Sequence, residues 1–292
     1  MNSKILDKKE LRNIPEEFLN KIIEESKKEN QEIYLKLEKK DFNEKSKEFK
    51  EYKKVIRKKL RTLYGVFQNQ QLNETKRKKY LEILRKETKE EKNILEKILK
   101  SHLSTKERIT YFNRVYSKII EICGKPKKIA DLACGFNPFS YFYWNLNLEY
   151  LASDISEIDL DFIQKFFASQ NIKGNTTSGD LTNENFQSKI IKKIRDYDTC
   201  LLFKALDSLE YLKKGSSTKL LLKIPCKNII ISFPSKTISG KNVIKGKRHW
   251  FLEALKQKNS EGWEIHEFEI GPEIYYLLKK PQTVLSNNSK KT

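Results

Sequence analysis

The sequence predicts an α/β protein in which an α-helical, basic N-terminal module precedes a doubly wound, mostly parallel sheet. Residues 1–100 are rich in Lys, Glu, Leu and Ile, and Pro15 and Gly65 are the only strong helix breakers among them. From about residue 127, short apolar runs alternate with helix-like stretches. Such alternation is typical of parallel strands covered by helices on both faces. We therefore expect a helical module over residues 1–100, a sheet domain over 101–282 and a polar tail over 283–292.

In the N-terminal part, apolar residues recur at helical spacing, as in Phe18, Ile22 and Ile23. This period predicts amphipathic helices. Stretches near residues 41–46 and 65–73 predict breaks between them.

In the second part, five apolar runs predict strands. They are KIADLA (128–133), EYLASDI (149–155), DTCLLFKAL (198–206), KNIIISF (227–233) and IYYLLKK (274–280). A further strand is expected to end just before Asp180, in SGDLTN (178–183).

Positive charge is concentrated in one part of the helical module. The whole chain has 59 basic and 39 acidic side chains, a formal net charge of +20, and the first 50 residues hold 13 basic and 12 acidic ones. Residues 53–79 instead hold ten basic side chains against a single acid, Glu74. A local excess favours phosphate contact over a merely solvated face. The predicted RNA-contacting residues are Lys53, Lys54, Arg57, Lys58, Lys59, Arg61, Lys76, Arg77, Lys78 and Lys79.

Cysteine and histidine usage gives no sign of a metal site. Cys123, Cys134, Cys200 and Cys226 form no CxxC pair, and with three histidines they show no zinc-site spacing. Apolar runs fall short of the roughly 20 residues that span a bilayer, and the first ten residues have no apolar signal core. We expect reduced thiols, no metal and a cytoplasmic protein.

The stretch DLACGFNPFS (131–140) predicts a cofactor loop at the end of the first strand. A dinucleotide site would need G-x-G-x-x-G so that backbone amides approach a pyrophosphate, but this loop has a single glycine, Gly135. S-adenosylmethionine carries no phosphate and suits such a loop better. Acids close three successive strands, at Asp131, Asp154 and Asp180. A carboxylate at the second strand end can accept hydrogen bonds from ribose hydroxyls, although strand-end acids also commonly cap helices.

Six stretches occur in the order found in one known family. They are SHLSTKERI (101–109), IADLACGFNPFS (129–140), ASDI (152–155), LLFKALDSLE (201–210), SFPSKTISGK (232–241) and IGPEIYYLLKK (270–280). Through them the sequence resembles the aminoglycoside-resistance 16S ribosomal RNA (guanine-N7) methyltransferases. The resemblance implies a Rossmann-like class I methyltransferase domain after an α-helical RNA-binding module, with S-adenosylmethionine as cofactor. The Lys-, Glu- and Ile-rich composition differs from that of a GC-rich antibiotic producer, so we expect a housekeeping or archaeal-type relative.

The resemblance also implies roles for individual residues. The cofactor would be bound by Arg108 at its carboxylate, Gly135 at its methionine part, Asp154 at its ribose, and Asp180 and Leu181 at its adenine. Asp131 and Ile155 are further predicted cofactor-binding residues. Lys204 and Glu210 match positions that are important for activity, with Lys204 also beside the cofactor. Lys236 and Lys241 match a basic loop near the RNA, where relatives usually carry Arg. Structural roles remain open for Arg108, as a partner of Glu107, for Lys204, as a surface lysine, and for Glu210, as a solvated helix residue.

The expected chemistry needs few residues. Guanine N7 is a lone pair without a proton, so methyl transfer requires positioning but no general base. The three histidines are accordingly dispersed. Trp250 and Phe251 could stack on a base or anchor a helix in the core, and Cys226 is expected to be a buried thiol rather than a nucleophile.

Three functions remain in competition. The first is guanine-N7 methylation of small-subunit ribosomal RNA by a monomeric enzyme, and the second is the same reaction on tRNA. The third is a non-catalytic RNA-binding or ribosome assembly factor, which would be expected to have lost the three strand-end acids that this sequence retains.

Overall fold

The computed structural model describes residues 2–64, 72–86, 90–235, 250–257 and 262–281. The predicted basic-loop residues Lys236 and Lys241 and the predicted polar tail lie outside these residues.

The N-terminal third of the described chain is helical, as the apolar period predicts. Its helices are α1 (Asn2–Ile5), α2 (Glu16–Glu29), α3 (Gln31–Glu38), α4 (Lys47–Leu63), α5 (Glu74–Leu84), α6 (Glu91–Ser101), α7 (Leu103–Arg108) and α8 (Phe112–Cys123), with a 3₁₀ turn at Lys9–Leu11. The predicted break at 41–46 lies between α3 and α4. Ser46 and Asn73 begin α4 and α5 by accepting hydrogen bonds from the backbone N–H groups of Phe49 and Lys76, as helix caps do.

The remaining described helices alternate with strands. They are α9 (Glu157–Ser169), α10 (Glu184–Lys193), α11 (Leu206–Leu212), α12 (Ser216–Lys223) and α13 (Trp250–Gln257), with a 3₁₀ helix at Asn137–Trp144.

Seven strands form one sheet, in the order β3-β2-β1-β4-β5-β7-β6. They are β1 (Lys128–Leu132), β2 (Glu149–Asp154), β3 (Gly174–Ser178), β4 (Thr199–Phe203), β5 (Asn228–Pro234), β6 (Glu264–Ile270) and β7 (Glu273–Lys279). The first five strands are parallel, and β7 pairs antiparallel with both β5 and β6. The sheet is therefore doubly wound and mostly parallel, as predicted.

The five predicted apolar runs are β1, β2, β4, β5 and β7, and β3 ends two residues before Asp180. The edge strand β6 was not predicted, because its sequence EIHEFEI alternates apolar residues with charged ones and most of its side chains are at least partly exposed. Charged side chains at a sheet edge are a common protection against pairing with other chains.

Apolar side chains form three clusters. Alternate residues of the central strands enter the first two clusters, one on each face of the sheet, as with Ile129 and Ala130 of β1. The third cluster lies among α1, α2, α3 and α4 and also contacts Ile155 and Leu212 near the sheet.

The apolar clusters do not divide the chain at residue 100, where the sequence predicts the boundary between the helical module and the sheet domain. Buried residues of α5 and α6, among them Leu84, Ile98 and Leu99, belong to the first cluster of the sheet domain. The separate helical cluster spans only residues 5–64. The helices α5 and α6 thus belong with the sheet domain by packing, because their apolar faces cover α9 and the 3₁₀ helix.

Candidate active site at the carboxyl edge of the sheet

The loops that follow β1, β2, β3 and β4 meet at one edge of the sheet and surround a cavity of about 130 Å³. Ligands bind at this edge of doubly wound sheets because the carboxyl ends of parallel strands converge there. Predicted site residues that line the cavity are Gly135, Asp154, Ile155, Asp180, Leu181 and Lys204. The helical module supplies further lining residues, Phe18, Leu63 and Tyr64.

The loop after β1 is held in a strained conformation around Gly135. Ala133 and Gly135 have φ angles of 54° and 50°, a region that glycine adopts far more readily than other residues. A Cβ atom on Gly135 would stand 2.8 Å from Cε1 of His102. Both the backbone conformation and the neighbouring ring therefore favour glycine at this position. Burial lowers the pKa of His102 to about 4, so this ring is neutral near pH 7.

Asp154, at the end of β2, is tied to the same loop. Its Oδ2 accepts a hydrogen bond of 2.9 Å from the Gly135 N–H, and its Oδ1 accepts from the N–H groups of Ile155 and Ser156. Burial raises the pKa of Asp154, although these backbone donors oppose the shift. The carboxylate is thus fixed in the cavity, where ribose hydroxyls could donate to its remaining lone pairs.

Asp131, at the end of β1, has one carboxylate oxygen without a hydrogen-bond partner among the described residues. Its Oδ2 accepts from the Tyr150 hydroxyl at 2.5 Å and from Asn137 Nδ2 at 2.8 Å, whereas its buried Oδ1 has no partner. Burial raises the pKa of Asp131 to about 6. A buried acceptor without a donor is costly, and a cationic amino group of a ligand would satisfy it.

Asp180 follows β3 and forms an ion pair with a lysine of the helical module. Its Oδ1 accepts from the Thr182 N–H at 2.8 Å, and its Oδ2 lies 2.5 Å from Nζ of Lys21 in α2. Lys21 also contacts the Thr182 hydroxyl. An acid predicted to bind adenine is thus paired, in this structure, with a residue that sequence reasoning did not identify.

Lys204, directly after β4, combines backbone strain with burial. Its φ is 55°, and its side chain is only 7% exposed. Its Nζ lies 2.5 Å from Glu107 Oε2 and 3.2 Å from Glu273 Oε1. Strained backbone conformations are concentrated at functional sites. Lys204 is therefore a buried, doubly paired cation that lines the cavity and not a free surface lysine.

Glu273 reaches this edge because β7 runs opposite to the other strands, so that its first residue pairs with Pro234 at the end of β5. The carboxylate is fully buried between Lys204 and Arg108, whose Nη2 lies 3.1 Å from Glu273 Oε1. Burial alone would raise the pKa of Glu273, but the charges of Arg108 and Lys204 lower it below its usual value. Glu107 and Glu273 were quoted in sequence motifs but not predicted as site residues. The signal that could have identified them is that two predicted site cations, Arg108 and Lys204, need carboxylates as counter-charges once they are buried.

Three predicted site residues, Asp131, Arg108 and Glu210, are not among the residues that line the cavity. Arg108 is 1% exposed, pairs with Glu273 and donates from Nη1 to Asn137 Oδ1 at 3.0 Å. Its predicted contact with a cofactor carboxylate therefore remains a prediction. Glu210 accepts a 2.5 Å hydrogen bond from the Gly215 N–H and so closes the turn after α11. Its predicted catalytic role has no contact in this structure to support it and also remains a prediction.

The predicted RNA-contacting cations separate into exposed and buried groups. Lys54, Lys58, Lys76, Lys78 and Lys79 are exposed, and Lys53 is half-buried. Arg61 pairs with Glu10 at the surface, and Lys78 pairs with Glu74.

Three of these predicted cations are buried in ion pairs, which corrects the prediction. Arg57 binds Asp7 and the carbonyls of α1, and Lys59 binds Glu25 and Glu29 of α2. Arg77 binds Asp159 and the carbonyl oxygens of Leu72 and Ile158. Because these buried side chains are already bonded to carboxylates and backbone carbonyls, they hold helices together and do not present free cations to phosphates.

The aromatic pair after the basic loop lies at the sheet domain's core. Phe251 is fully buried and packs against Phe233 and Tyr276 with ring-centroid distances of 5.4 and 5.0 Å. Trp250 is partly buried beside Phe233. The structure therefore supports the core-anchor alternative for Phe251.

Cys226 is fully buried, as expected. No cluster of metal-ligating side chains occurs among the described residues, and no described helix is long and apolar enough to cross a membrane.

The donor set fits S-adenosylmethionine. The partnerless Asp131 Oδ1 matches an amino group, and the carboxylate of Asp154, fixed by the Gly135 N–H, matches a ribose diol. A Tyr64 hydroxyl bonded to Asp159 at 3.1 Å closes the side of the cavity next to the helical module.

Comparison with known proteins places the chain among RNA-modifying enzymes. The family model described as ribosomal RNA methyltransferase (FmrO) matches residues 43–277. The 16S rRNA (guanine(1405)-N(7))-methyltransferase of Proteus mirabilis is 28% identical over 246 residues, which cover 79% of this chain and 85% of that protein. The protein of the same name from Micromonospora rosea is 28% identical over 182 residues, which cover 61% of this chain and 63% of that protein.

Solved structures show the same fold. The 16S rRNA methyltransferase RmtF in complex with S-adenosyl-L-homocysteine superimposes with a TM-score of 0.71 at 20% identity, covering 96% of both chains. The 16S rRNA methylase RmtB superimposes with a TM-score of 0.65 at 22% identity, covering 96% of both chains. The fold is therefore the Rossmann-like methyltransferase fold with an added helical N-terminal module.

Proposed function

The chain belongs to the ribosomal RNA methyltransferase (FmrO) family, and on this premise we propose that it transfers a methyl group from S-adenosylmethionine to N7 of a guanine in small-subunit ribosomal RNA. The observation that carries the proposal is the cavity in which Gly135, Asp154, Asp180 and Lys204 meet at the carboxyl edge of the sheet. Both the loop chemistry and the position suit a nucleoside cofactor without phosphates.

The residues that line the cavity, together with the buried Asp131, support a set of proposed cofactor contacts. Asp154 would accept from the ribose hydroxyls, and Asp131 Oδ1 would accept from the amino group. Asp180 and Leu181 would contact the adenine. When bound, S-adenosylmethionine supplies an electrophilic methyl group on a sulfonium. The chain's own residues then need only to hold the donor and the base in line, because guanine N7 has no proton to remove.

Lys204 is the residue we propose to orient the target base. Its ammonium has three hydrogens, and two are directed to Glu107 and Glu273. The third hydrogen is available to an acceptor on the purine edge, such as O6. The two carboxylates fix the ammonium in place, so binding the base requires little reordering.

We propose that exposed lysines of α4 and α5 bind RNA backbone phosphates. Lys54, Lys58, Lys76 and Lys79 are exposed on these two helices. Phosphate contacts position an RNA substrate, and the target base must leave its stack to enter a cavity of this kind. We further propose that the protein acts in the cytoplasm as a monomer.

The decisive experiment separates the three possible functions. Protein with labelled S-adenosylmethionine is incubated with small ribosomal subunits, free ribosomal RNA or tRNA, and the modified nucleotide is mapped by mass spectrometry. We expect 7-methylguanosine in the small-subunit RNA and none with Asp154→Ala. Label in tRNA alone would support the tRNA alternative. Cofactor binding without methylation of any of these RNAs would support a non-catalytic RNA-binding protein.

A further inference from the structure

The helical module contributes directly to the cavity, through three lining residues and one ion pair. Phe18, Leu63 and Tyr64 line it, and Lys21 pairs with Asp180. Phe18 and Lys21 are three residues apart on α2 and therefore share one face of that helix. One face of α2 thus supplies both an apolar wall and a cation to the same end of the cavity.

Lys21 forms an ion pair with Asp180, the carboxylate to which the proposed function assigns adenine binding. The Lys21 ammonium lies 2.5 Å from Asp180 Oδ2 and also contacts the Thr182 hydroxyl, while Oδ1 is bonded to the Thr182 N–H. The Lys21 side chain is 32% exposed and that of Asp180 is 19% exposed. An adenine amino group that bound Asp180 would therefore share or replace the contact that Lys21 makes with this carboxylate.

The cavity lining points to the same helix. Phe18 is a wall residue on the face of α2 that also carries Lys21. The pair between Lys21 and Asp180 therefore ties α2 to the loop after β3 at the wall of the cavity, and its loss removes that tie.

We propose that Lys21 is a determinant of donor affinity that competes with the adenine of S-adenosylmethionine for Asp180, so that donor binding releases α2 from the sheet domain. This inference rests on the proposed function, because it takes Asp180 as the adenine-binding acid. It makes the position of the helical module dependent on whether the donor is bound. By linkage, anything that draws α2 away from Asp180 raises donor affinity.

The first test measures donor affinity by isothermal titration calorimetry with S-adenosylmethionine and S-adenosylhomocysteine on the full chain. Lys21→Met removes the competing cation but keeps an unbranched side chain only one atom shorter. We expect both ligands to bind about two- to fivefold more tightly, the range that a partly exposed ion pair supports. Lys21→Arg keeps the pair and should bind as the parent does. Lys36→Met, which removes a surface pair with Glu32, is the matched control and should leave the affinity unchanged.

The second test follows α2 by hydrogen exchange. Adding S-adenosylhomocysteine should speed exchange of backbone amides in Glu16–Glu29 in the parent. In Lys21→Met these amides should exchange faster before any ligand is added.

The outcomes separate the inference from the proposed function. Unchanged or weaker binding by Lys21→Met, or slower exchange in α2 on ligand addition, would overturn the inference while leaving the proposed function intact. Absence of binding of either ligand to the parent would overturn the proposed function itself. Damage to the fold is distinguishable, because a damaged site would not bind more tightly.

Discussion

At the scale of single residues, the site depends on carboxylates whose environments differ. Asp131 is buried with one oxygen lacking a partner among the described residues. Asp154 is held by three backbone N–H groups, and Glu273 is enclosed by two cations. Burial disfavours a charged carboxylate, and only nearby cations or donors offset that cost. Of the three, Glu273 has the most complete compensation, because it is the one whose pKa is lowered in spite of burial.

The raised pKa of Asp131 predicts a pH dependence of donor binding. Because burial raises this pKa to about 6, Asp131 is ionised above pH 6 and becomes protonated below it. An ammonium binds only the ionised form, so donor affinity should fall as the pH drops below 6, by at most tenfold per unit. Calorimetry between pH 5 and 7 checks this.

Asp131→Asn provides the control for that titration. It should bind the donor more weakly at pH 7 but show a flatter profile between pH 5 and 7. His102 does not titrate in this range, since its pKa is lowered to about 4. An equally steep profile in Asp131→Asn would assign the titration to another group, with Asp154 as the first candidate.

Lys204 predicts a separation between rate and donor affinity. Lys204→Ala removes the donor proposed to orient the base, so the single-turnover rate of methyl transfer should fall by on the order of 10²- to 10³-fold. Donor affinity should stay within about twofold, because the proposed donor contacts are carboxylates and backbone groups. Rapid-quench kinetics and calorimetry measure the two quantities. Parallel losses in rate and affinity would show instead that Lys204 mainly supports the cofactor.

At the scale of elements, α5 shows two uses of basic side chains on one helix. Arg77 faces inward, pairs with Asp159 and lies over the rings of Phe136 and Phe162. Lys76 and Lys79 face solvent. The sequence indicates only that the helix is basic, and helical geometry decides which cations are structural.

Arg77→Ala should destabilise the fold strongly. It leaves the buried Asp159 carboxylate without its cation and with the Tyr64 hydroxyl as a side-chain partner, and breaking a buried pair in this way costs about 3–5 kcal/mol. Lys78→Ala removes an exposed pair with Glu74 and should leave the free energy of unfolding essentially unchanged, because solvent screens such pairs. Urea denaturation of both variants tests the contrast. Equal stabilities would mean that the Arg77 pair contributes nothing net.

The exposed lysines of α5 should affect RNA binding without affecting stability. Replacing Lys76 and Lys79 with Gln should lower the slope of log affinity against log salt by about one to two, because each phosphate contact contributes about 0.7–0.9. Lys118→Gln, which removes a surface pair with Glu121 on α8, is the control. Filter binding at several salt concentrations measures the slope. A double variant with the parent's slope would show a merely solvated helix face.

The sequence predicts the strands of the sheet better than it predicts which distant residues contact the side chains of the site. Strand runs and the glycine loop are local signals, so β1, β2 and the position of Gly135 follow from neighbouring residues. Lys21 and Asp180 are 159 positions apart, and their contact depends on how α2 packs. The edge strand β6 escaped prediction because its charged, exposed residues mask the apolar alternation on which strand prediction relies.

At the scale of the whole molecule, the packing clusters define the folding units. Because Leu72, Leu81, Leu84, Ile94, Ile98 and Leu99 belong to the sheet domain's cluster, a fragment 72–292 should unfold cooperatively. A fragment 101–292 loses these six buried side chains, worth on the order of 10 kcal/mol, which is comparable to the stability of a whole domain. We expect it to aggregate. Circular dichroism melting compares the two fragments, and equal melting temperatures would place the boundary near residue 100 instead.

The reversed strand β7 has a consequence for when the enzyme becomes competent during its synthesis. Chains emerge from the ribosome N-terminus first, and Glu273, the carboxylate between Arg108 and Lys204, is encoded late. Until that segment leaves the exit tunnel, the two cations face each other without their shared counter-charge. A nascent chain therefore completes this buried ion-pair centre only after β7 has been released, so the assembly of the site is one of the last steps in the folding of the sheet.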